Sequence, residues 1–545
     1  MSSTAAAASR LAGGSGTGLQ RTISWTGAFW VASGVPALVL FSIGGIAATV
    51  GSPSWVVWVI SVIFGFLQAF TYAEIAGLFP SKSGGASVYG AAAWVRYSKA
   101  IAPVSVWCNW LAWTPVLAIG SGLAAGYILT ALVPADSVIR TWEITLLNLD
   151  GLKEGLHIRI NSTFIVGAVI LLLVFAAQHH GILRTARIQT IVGIAVVVPL
   201  LIVGIAPLLN GQVQMENFQP FAPIAFDAEG NLADKSLWVW DRHGWTLFLG
   251  GLFIAAWSAY AFETAICYTS EFKDPKTDTF KAIFFAGLLC ILVYTLVPFS
   301  FQGALGVEGM LGEGIVDGSA VGAAMATMVG GGTSGVIFNL MVIMLILALI
   351  LAIMTSMAGS SRTLYQGGVD GWLPKYLSHT NQWGAPTRAM WTDLGFNLIL
   401  LMMSDYLFVL AVSNCCYIVF NFLNLNAGWI HRIDSGHVQR PWKAPNSMLA
   451  VGVVLSFVNM ALLGAGANVW GPGTLMTALV FIALVIPVFM FRHYVTDGGK
   501  FPPEMLEDLN IRSEADFKNT KAGMLPYVTL AAGIAVAIIA NRIFA

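Results

Sequence analysis

Thirteen apolar stretches recur along this chain, most of them about as long as a helix must be to cross a bilayer core of roughly 30 Å. They run approximately over 24–50, 54–79, 99–133, 162–180, 184–209, 244–270, 279–306, 335–365, 388–403, 405–432, 446–466, 472–492 and 523–541, and are numbered helices 1 to 13 below. Only helices and closed barrels satisfy their backbone polar groups inside lipid, and stretches of this length are helices. The fold class is therefore an all-α integral membrane protein. Composition agrees: the chain is 57% hydrophobic and 10% charged, with a mean hydropathy of +0.76, against about 25% charged residues in a soluble domain.

A formal net charge of zero and the lack of a basic cluster argue against nucleic acid as a partner. Cys108, Cys267, Cys290, Cys415 and Cys416 all fall within apolar stretches, without metal-ligand spacing, so neither a secreted-type disulfide framework nor a metal site is expected. Most of the 27 Lys and Arg residues collect on one side when the N-terminus is placed in the cytoplasm. Thirteen spans then put the C-terminus outside. Residues 1–23 read as a cytoplasmic tail, and Pro134 to Ile160 and Asn210 to His243 as long polar loops.

Two spans are interrupted by residues that do not suit a transmembrane rod. Helix 6 carries Trp257-Ser258-Ala259-Tyr260-Ala261-Phe262-Glu263, a carboxylate set deep in an apolar segment. An acid there costs several kcal/mol or a neutralising proton and marks a functional site by default. Helix 1 carries Ser33-Gly34-Val35-Pro36-Ala37, where Pro36 removes an amide donor and disfavours helical geometry at Val35. Helices 1–5 and 6–10 form two halves of five, and an odd count makes the second enter from the opposite side. The corresponding organisation is a tail (1–23), a first half (24–209), an external loop (210–243), a second half (244–432), helices 11 and 12 (433–492), and a cytoplasmic loop with helix 13 (493–545).

Four motifs at span boundaries carry a family resemblance. Glu74-Ile75 leads through Pro80 to Ser83-Gly84-Gly85 and Tyr89; Glu271-Phe272-Lys273-Asp274-Pro275 precedes Ala282-Ile283; Ser361-Arg362 leads to Tyr365 and Asp370-Gly371-Trp372-Leu373-Pro374; and Arg440-Pro441-Trp442-Lys443-Ala444-Pro445 follows helix 10. In this order they resemble the amino acid–polyamine–organocation family of permeases. The resemblance covers helices 1–12 and leaves the thirteenth outside a twelve-helix core. It implies a LeuT-type 5+5 inverted repeat with discontinuous helices 1 and 6, working by alternating access as a multi-pass protein of the plasma (inner) membrane.

It further implies a break in helix 1 whose amides take a substrate carboxylate; of two candidates, Ile43-Gly44-Gly45 leaves only about five residues of half-helix before Gly51, so Ser33, Gly34, Val35 and Ala37 are favoured, because two half-helices must together span the bilayer. Trp257, Ala259, Tyr260 and Ala261 face the substrate amine, with Trp257 as an aromatic lid. Glu263 is the implied coupling acid, and Glu74, Gly84, Gly85, Glu271 and Arg362 form a cytoplasmic motif layer. Leu117 corresponds to a position where arginine exchangers have an asparagine. A guanidinium left there without a partner would lose roughly 2–5 kcal/mol, which favours a neutral or apolar amino acid over arginine. An amine or polyamine, with Glu263 as counter-ion, is the alternative cargo, and a non-transporting sensor a further one. No organic cofactor is expected, while a proton or sodium ion stays open for coupling: no lysine lies between Ile188 and Leu209 of helix 5 to stand in for sodium. The partners expected are the cargo and the bilayer, and the sequence does not set the oligomeric state. Trp107, Trp110 and Trp113 read as a packing stripe, and Asn161 as a helix N-cap.

Overall fold

The computed structural model describes residues 19–134, 136–227, 231–312, 314–316, 318, 320–332, 334–509, 517 and 520–544. Most of the expected tail, residues 1–18, lies outside them. Eleven helices among the described residues are long and apolar enough to cross a membrane. They are helix 1 (Trp25–Val50), helix 2 (Ser54–Gly77), helix 3 (Ile101–Leu132), helix 5 (Ile182–Leu209), helix 6 (Arg242–Glu271), helix 7 (Pro275–Met310), helix 8 (Val336–Val369), helix 10 (Tyr406–Asp434), helix 11 (Asn446–Trp470), helix 12 (Thr474–Thr496) and helix 13 (Leu525–Phe544). The fourth and ninth expected spans are shorter helices, Ser162–Gln178 and Thr387–Leu400.

Helix 1 is helical over Trp25–Val31, turns, runs as a 3-10 segment over Val35–Leu38, and resumes as α-helix at Val39. Pro36 sits in the first turn of that 3-10 segment, where a missing amide does least harm. Helix 6 ends its α-helical part at Ala259 and continues as 3-10 turns over Ala261–Ile266 and Thr269–Glu271. No proline or glycine marks this second break. Helix 2 approaches it closely instead: a Cβ on Gly65 would stand 2.8 Å from the Ala259 carbonyl oxygen and from the Tyr260 ring. Helix 3 is also interrupted, at Thr114, because Pro115 cannot donate into the helical ladder.

The loop expected between Pro134 and Ile160 contains an antiparallel hairpin, β1 (Glu143–Asn148) with β2 (His157–Asn161). Its strands are short and mostly exposed, which is why hydropathy passes over them. The Arg159 amide donates to the Met402 carbonyl (2.8 Å), tying β2 to the end of the ninth helix. Asn161 caps the fourth helix as expected, accepting from the Phe164 amide at 3.0 Å.

Candidate functional site

The two breaks lie side by side and share one side chain. The Tyr294 hydroxyl on helix 7 is 2.8 Å from the Val35 carbonyl oxygen in helix 1 and 3.1 Å from the Ser258 carbonyl oxygen in helix 6. Trp58 stacks on the Tyr294 ring at 5.5 Å, fixing it from helix 2. Trp257 closes the neighbouring wall. Its indole N–H is shared between the Ala112 carbonyl (3.0 Å) and the Ser413 hydroxyl (2.9 Å), and its ring lies 6.2 Å from that of Phe41. Helices 1, 3, 6, 7 and 10 thus meet around the broken segments. Ser33, Gly34, Val35, Ala37, Ala259, Tyr260 and Ala261 are all buried there.

Gly34 is engaged from the other side. Its amide donates to the Thr355 hydroxyl of helix 8 at 3.2 Å, and a Cβ on it would stand 2.5 Å from the Leu351 carbonyl oxygen and from Thr355 Oγ1. Only glycine lets helix 1 pass helix 8 so closely. Leu117 is fully buried one turn beyond Trp113, next to Ala118, whose amide donates to Asn397 (3.1 Å). A cavity of about 360 Å³ lies within a turn of Leu117, with Arg159, Asn161 and Tyr406 in its wall, and is separate from the breaks.

Glu263 is buried and takes one hydrogen bond, from the Trp113 indole at 2.9 Å; among the described residues its second oxygen has none. Tyr417 stands between these elements, 6.3 Å from the Trp113 ring and 6.3 Å from the Tyr260 ring. Tyr260 donates to Asn459 at 3.0 Å and Tyr72 to Asn421, which extends the polar surroundings to helices 2, 10 and 11.

The boundary motifs form a second layer at the far end of helices 2, 6 and 8. Arg362 makes a two-pronged pair with Glu271 (2.5 and 3.0 Å), and Glu74 binds Arg432 (2.5 and 2.9 Å) and Arg440 (3.0 Å). Lys82 meets Asp370 at 2.5 Å. Gly84 and Gly85 have φ of +96° and +81°, a backbone that glycine adopts without strain, and the Gly84 amide donates to the Cys267 carbonyl at 2.9 Å. The motif loop is thereby wedged against the 3-10 end of helix 6.

A family model described as amino acid permease matches residues 23–492. The chain belongs to the amino acid permease family. A polyamine transporter, PUT1 of Oryza sativa subsp. japonica, is 23% identical over 286 residues, covering 48% of this chain and 50% of the relative. The match thus spans about half the length of that curated relative. Permeases are a family of membrane transporters, and the eleven helices long and apolar enough to cross a membrane fit that class.

Several residues of the permease escaped sequence reasoning. The tryptophans of helix 3 do more than pack: Trp113 serves Glu263, and Trp110 donates to Asp393 at 2.9 Å. Asp393, on the ninth helix, also accepts from Thr114 (2.5 Å) and from Ser360, joining helices 3, 8 and 9 through one buried acid. A carboxylate inside span 388–403 was a visible signal. Tyr294 had none beyond being an aromatic residue in a span. On helix 5, Gln189 lies two residues after Arg187 and donates to the Val31 carbonyl at 3.0 Å, a contact for which a neutral amide in a span gives no signal.

Proposed function

We propose that this permease is a secondary active transporter that carries a small neutral or apolar amino acid across the plasma membrane by alternating access. Its N-terminus is cytoplasmic, and its two five-helix halves are related by inversion. The observation that carries this reading is the meeting of two broken spans around Tyr294. Broken helices in a bilayer are tolerated where their backbone faces protein or a cavity, and they suit the paired charges of a zwitterion: amides at the start of a half-helix for the carboxylate, carbonyls for the ammonium. The 3-10 segment Val35–Leu38 leading into the α-helix at Val39 is the amide side, where the Val35 and Ala37 amides would exchange their present acceptors, the Ala32 and Gly34 carbonyls, for the substrate carboxylate, and the carbonyls around Trp257 to Tyr260 are the ammonium side. Trp257 is the lid, and the motif layer is the closed cytoplasmic end.

A second reading, an amine or polyamine as cargo, is favoured by the oxygen of Glu263 that has no partner among the described residues and by the relative's description as a polyamine transporter. Counterflow in liposomes separates the two. Purified protein loaded with unlabelled leucine should accumulate labelled leucine, and apolar amino acids should compete while arginine does not. Competition by putrescine but not by amino acids would replace the first reading with the second. No exchange with either would remove both.

A further inference from the structure

The outward-facing line of helix 5 ends in two arginines. Its exposed positions Ile191, Ile194, Val198, Ile202 and Ile205 recur every three or four residues and so form one apolar stripe along the helix. Continued toward the end of the molecule that carries the motif layer, the stripe meets Arg187 and then Arg184, both exposed. From Arg187 to Ile205 the helix rises roughly 27 Å, close to the thickness of a hydrocarbon core. Arg187 therefore lies at the boundary of the core, and Arg184 one turn out, at headgroup depth.

The neighbouring elements continue this surface. The fourth helix exposes Ile165, Val169 and Leu172, and the turn after it exposes His180. That turn is packed on the loop between helix 8 and the ninth helix. The Asn381 amide group donates to the His179 carbonyl at 2.8 Å, a Cβ on Gly181 would stand 2.5 Å from the Trp383 carbonyl oxygen, and the His180 and Trp383 rings lie 5.8 Å apart. Phe175 meets Trp391 of the ninth helix at 4.4 Å. Trp383 and Trp391 are both half exposed, the placement aromatic residues take at a membrane–water boundary.

Charge sets this patch apart. No acid occurs from Gly155 to Met215 or from Gly371 to Thr392. Other cations at this end are held by carboxylates: Arg362 by Glu271, Lys82 by Asp370, Arg432 and Arg440 by Glu74, and Arg492 by Asp497. Among the described residues Arg184 and Arg187 have no ion pair or side-chain hydrogen bond, and Arg388, at the start of the ninth helix, meets only the Tyr376 ring, at 5.5 Å. Guanidinium groups without a counter-charge are a site for an anion, and their planar fork suits phosphate oxygens in particular. The apolar stripes below them and the tryptophans beside them suit acyl chains, for which a soluble anion has no use.

We propose that this face is a binding site for an anionic phospholipid of the adjoining leaflet. Arg184 and Arg187 take the headgroup phosphate, Arg388 strengthens the local positive field, and the acyl chains lie along helix 5 and the fourth helix. Gln189, two residues beyond Arg187, reaches the Val31 carbonyl at the break in helix 1, so a lipid held here steadies the scaffold behind the broken segments. The site serves the carrier whichever cargo it takes.

Melting of the purified full-length protein in a neutral detergent tests it. Phosphatidylglycerol should raise the melting temperature by several degrees, saturably; phosphatidylcholine with the same chains, and inorganic phosphate at the same concentration, should not. Arg184→Gln combined with Arg187→Gln should lose most of that gain and melt as the wild type does without the lipid. Lys281→Gln, at an exposed base near the start of helix 7 with Asp278 one turn before it, should keep the whole gain. Absence of a selective gain in the wild type would overturn the proposal. So would an equal gain in the double variant, since charge in general would then suffice, or an equal gain from inorganic phosphate, which would make this a soluble-anion site. A gain that grows with protein concentration and accompanies a dimer would assign the face to a second copy instead, and overturn it too. Should the double variant fail to fold, either arginine changed alone decides it by the same comparison.

Discussion

Two acids buried among the helices show how much a carboxylate's partners decide its role. Asp393 accepts from Trp110, Thr114 and Ser360, three donors on helices 3 and 8. Among the described residues Glu263 accepts from Trp113 alone. A carboxyl group with donors on both oxygens is a fixed part of the scaffold, whereas one with an unpartnered oxygen is the one whose proton responds to a change in its surroundings. Replacing Asp393 by Ala should strand the buried Trp110 and Thr114 donors at about 1–3 kcal/mol each, while Ser360 keeps the Ser356 carbonyl at 2.8 Å; the result is a large fall in melting temperature whatever the pH. Replacing Glu263 by Gln keeps an acceptor for Trp113, so folding should hold. What should go is the pH dependence of uptake, measured as initial rates from acid to neutral pH. A pH profile identical to the wild type would take Glu263 out of the coupling step.

At the level of elements, hydropathy located the long helices to within a few residues, because lipid demands runs of apolar side chains that nothing else in a protein requires. The break in helix 1 was legible through Pro36, and that in helix 6 through Glu263. What could not be read was which side chains from other helices serve the breaks: Gln189, Thr355 and Tyr294 are ordinary residues in sequence and act only by being placed. The hairpin Glu143–Asn161 was missed because its strands are short and largely solvated. Helix 13 likewise became interpretable only in three dimensions. It packs along helix 11 so closely that a Cβ on Gly464 would stand 2.1 Å from the Ala537 carbonyl oxygen, and Asn541 caps the Gly464 carbonyl at 3.0 Å. Just ahead of it, the Lys521 and Ala522 amides donate to Asp434 at the end of helix 10 (2.8 and 3.1 Å). A leucine at position 464 should therefore undock helix 13, read as faster proteolysis of the segment preceding Leu525. Asn541→Ala should cost only about 1 kcal/mol.

Across the whole molecule, the breaks and the motif layer form one mechanical unit, because helix 6 links them directly. From Ala261 to Glu271 it runs as tight turns, ending at the carboxylate that Arg362 of helix 8 grips with two of its three nitrogens. The backbone is strapped as well: the Thr22 and Ile23 amides donate to the Glu271 carbonyl at 3.0 and 3.2 Å, holding the start of helix 1 against the end of helix 6. Movement of either broken helix therefore loads this layer. Removing one partner of a buried ion pair costs about 3–5 kcal/mol, so Arg362→Ala should raise the open fraction at this end by about a hundredfold or more. Cys267 reports it. Its side chain is fully buried under Gly85, where a Cβ would stand 2.8 Å from the sulfur. With Cys108, Cys290, Cys415 and Cys416 changed to Ser, a membrane-permeant maleimide should label Cys267 slowly in the otherwise native protein and far faster with Arg362→Ala. Equal rates would mean that the Glu271–Arg362 pair does not hold this end shut, and that the strap from Thr22 and Ile23, together with the wedged Gly84–Gly85 loop, bears the load instead.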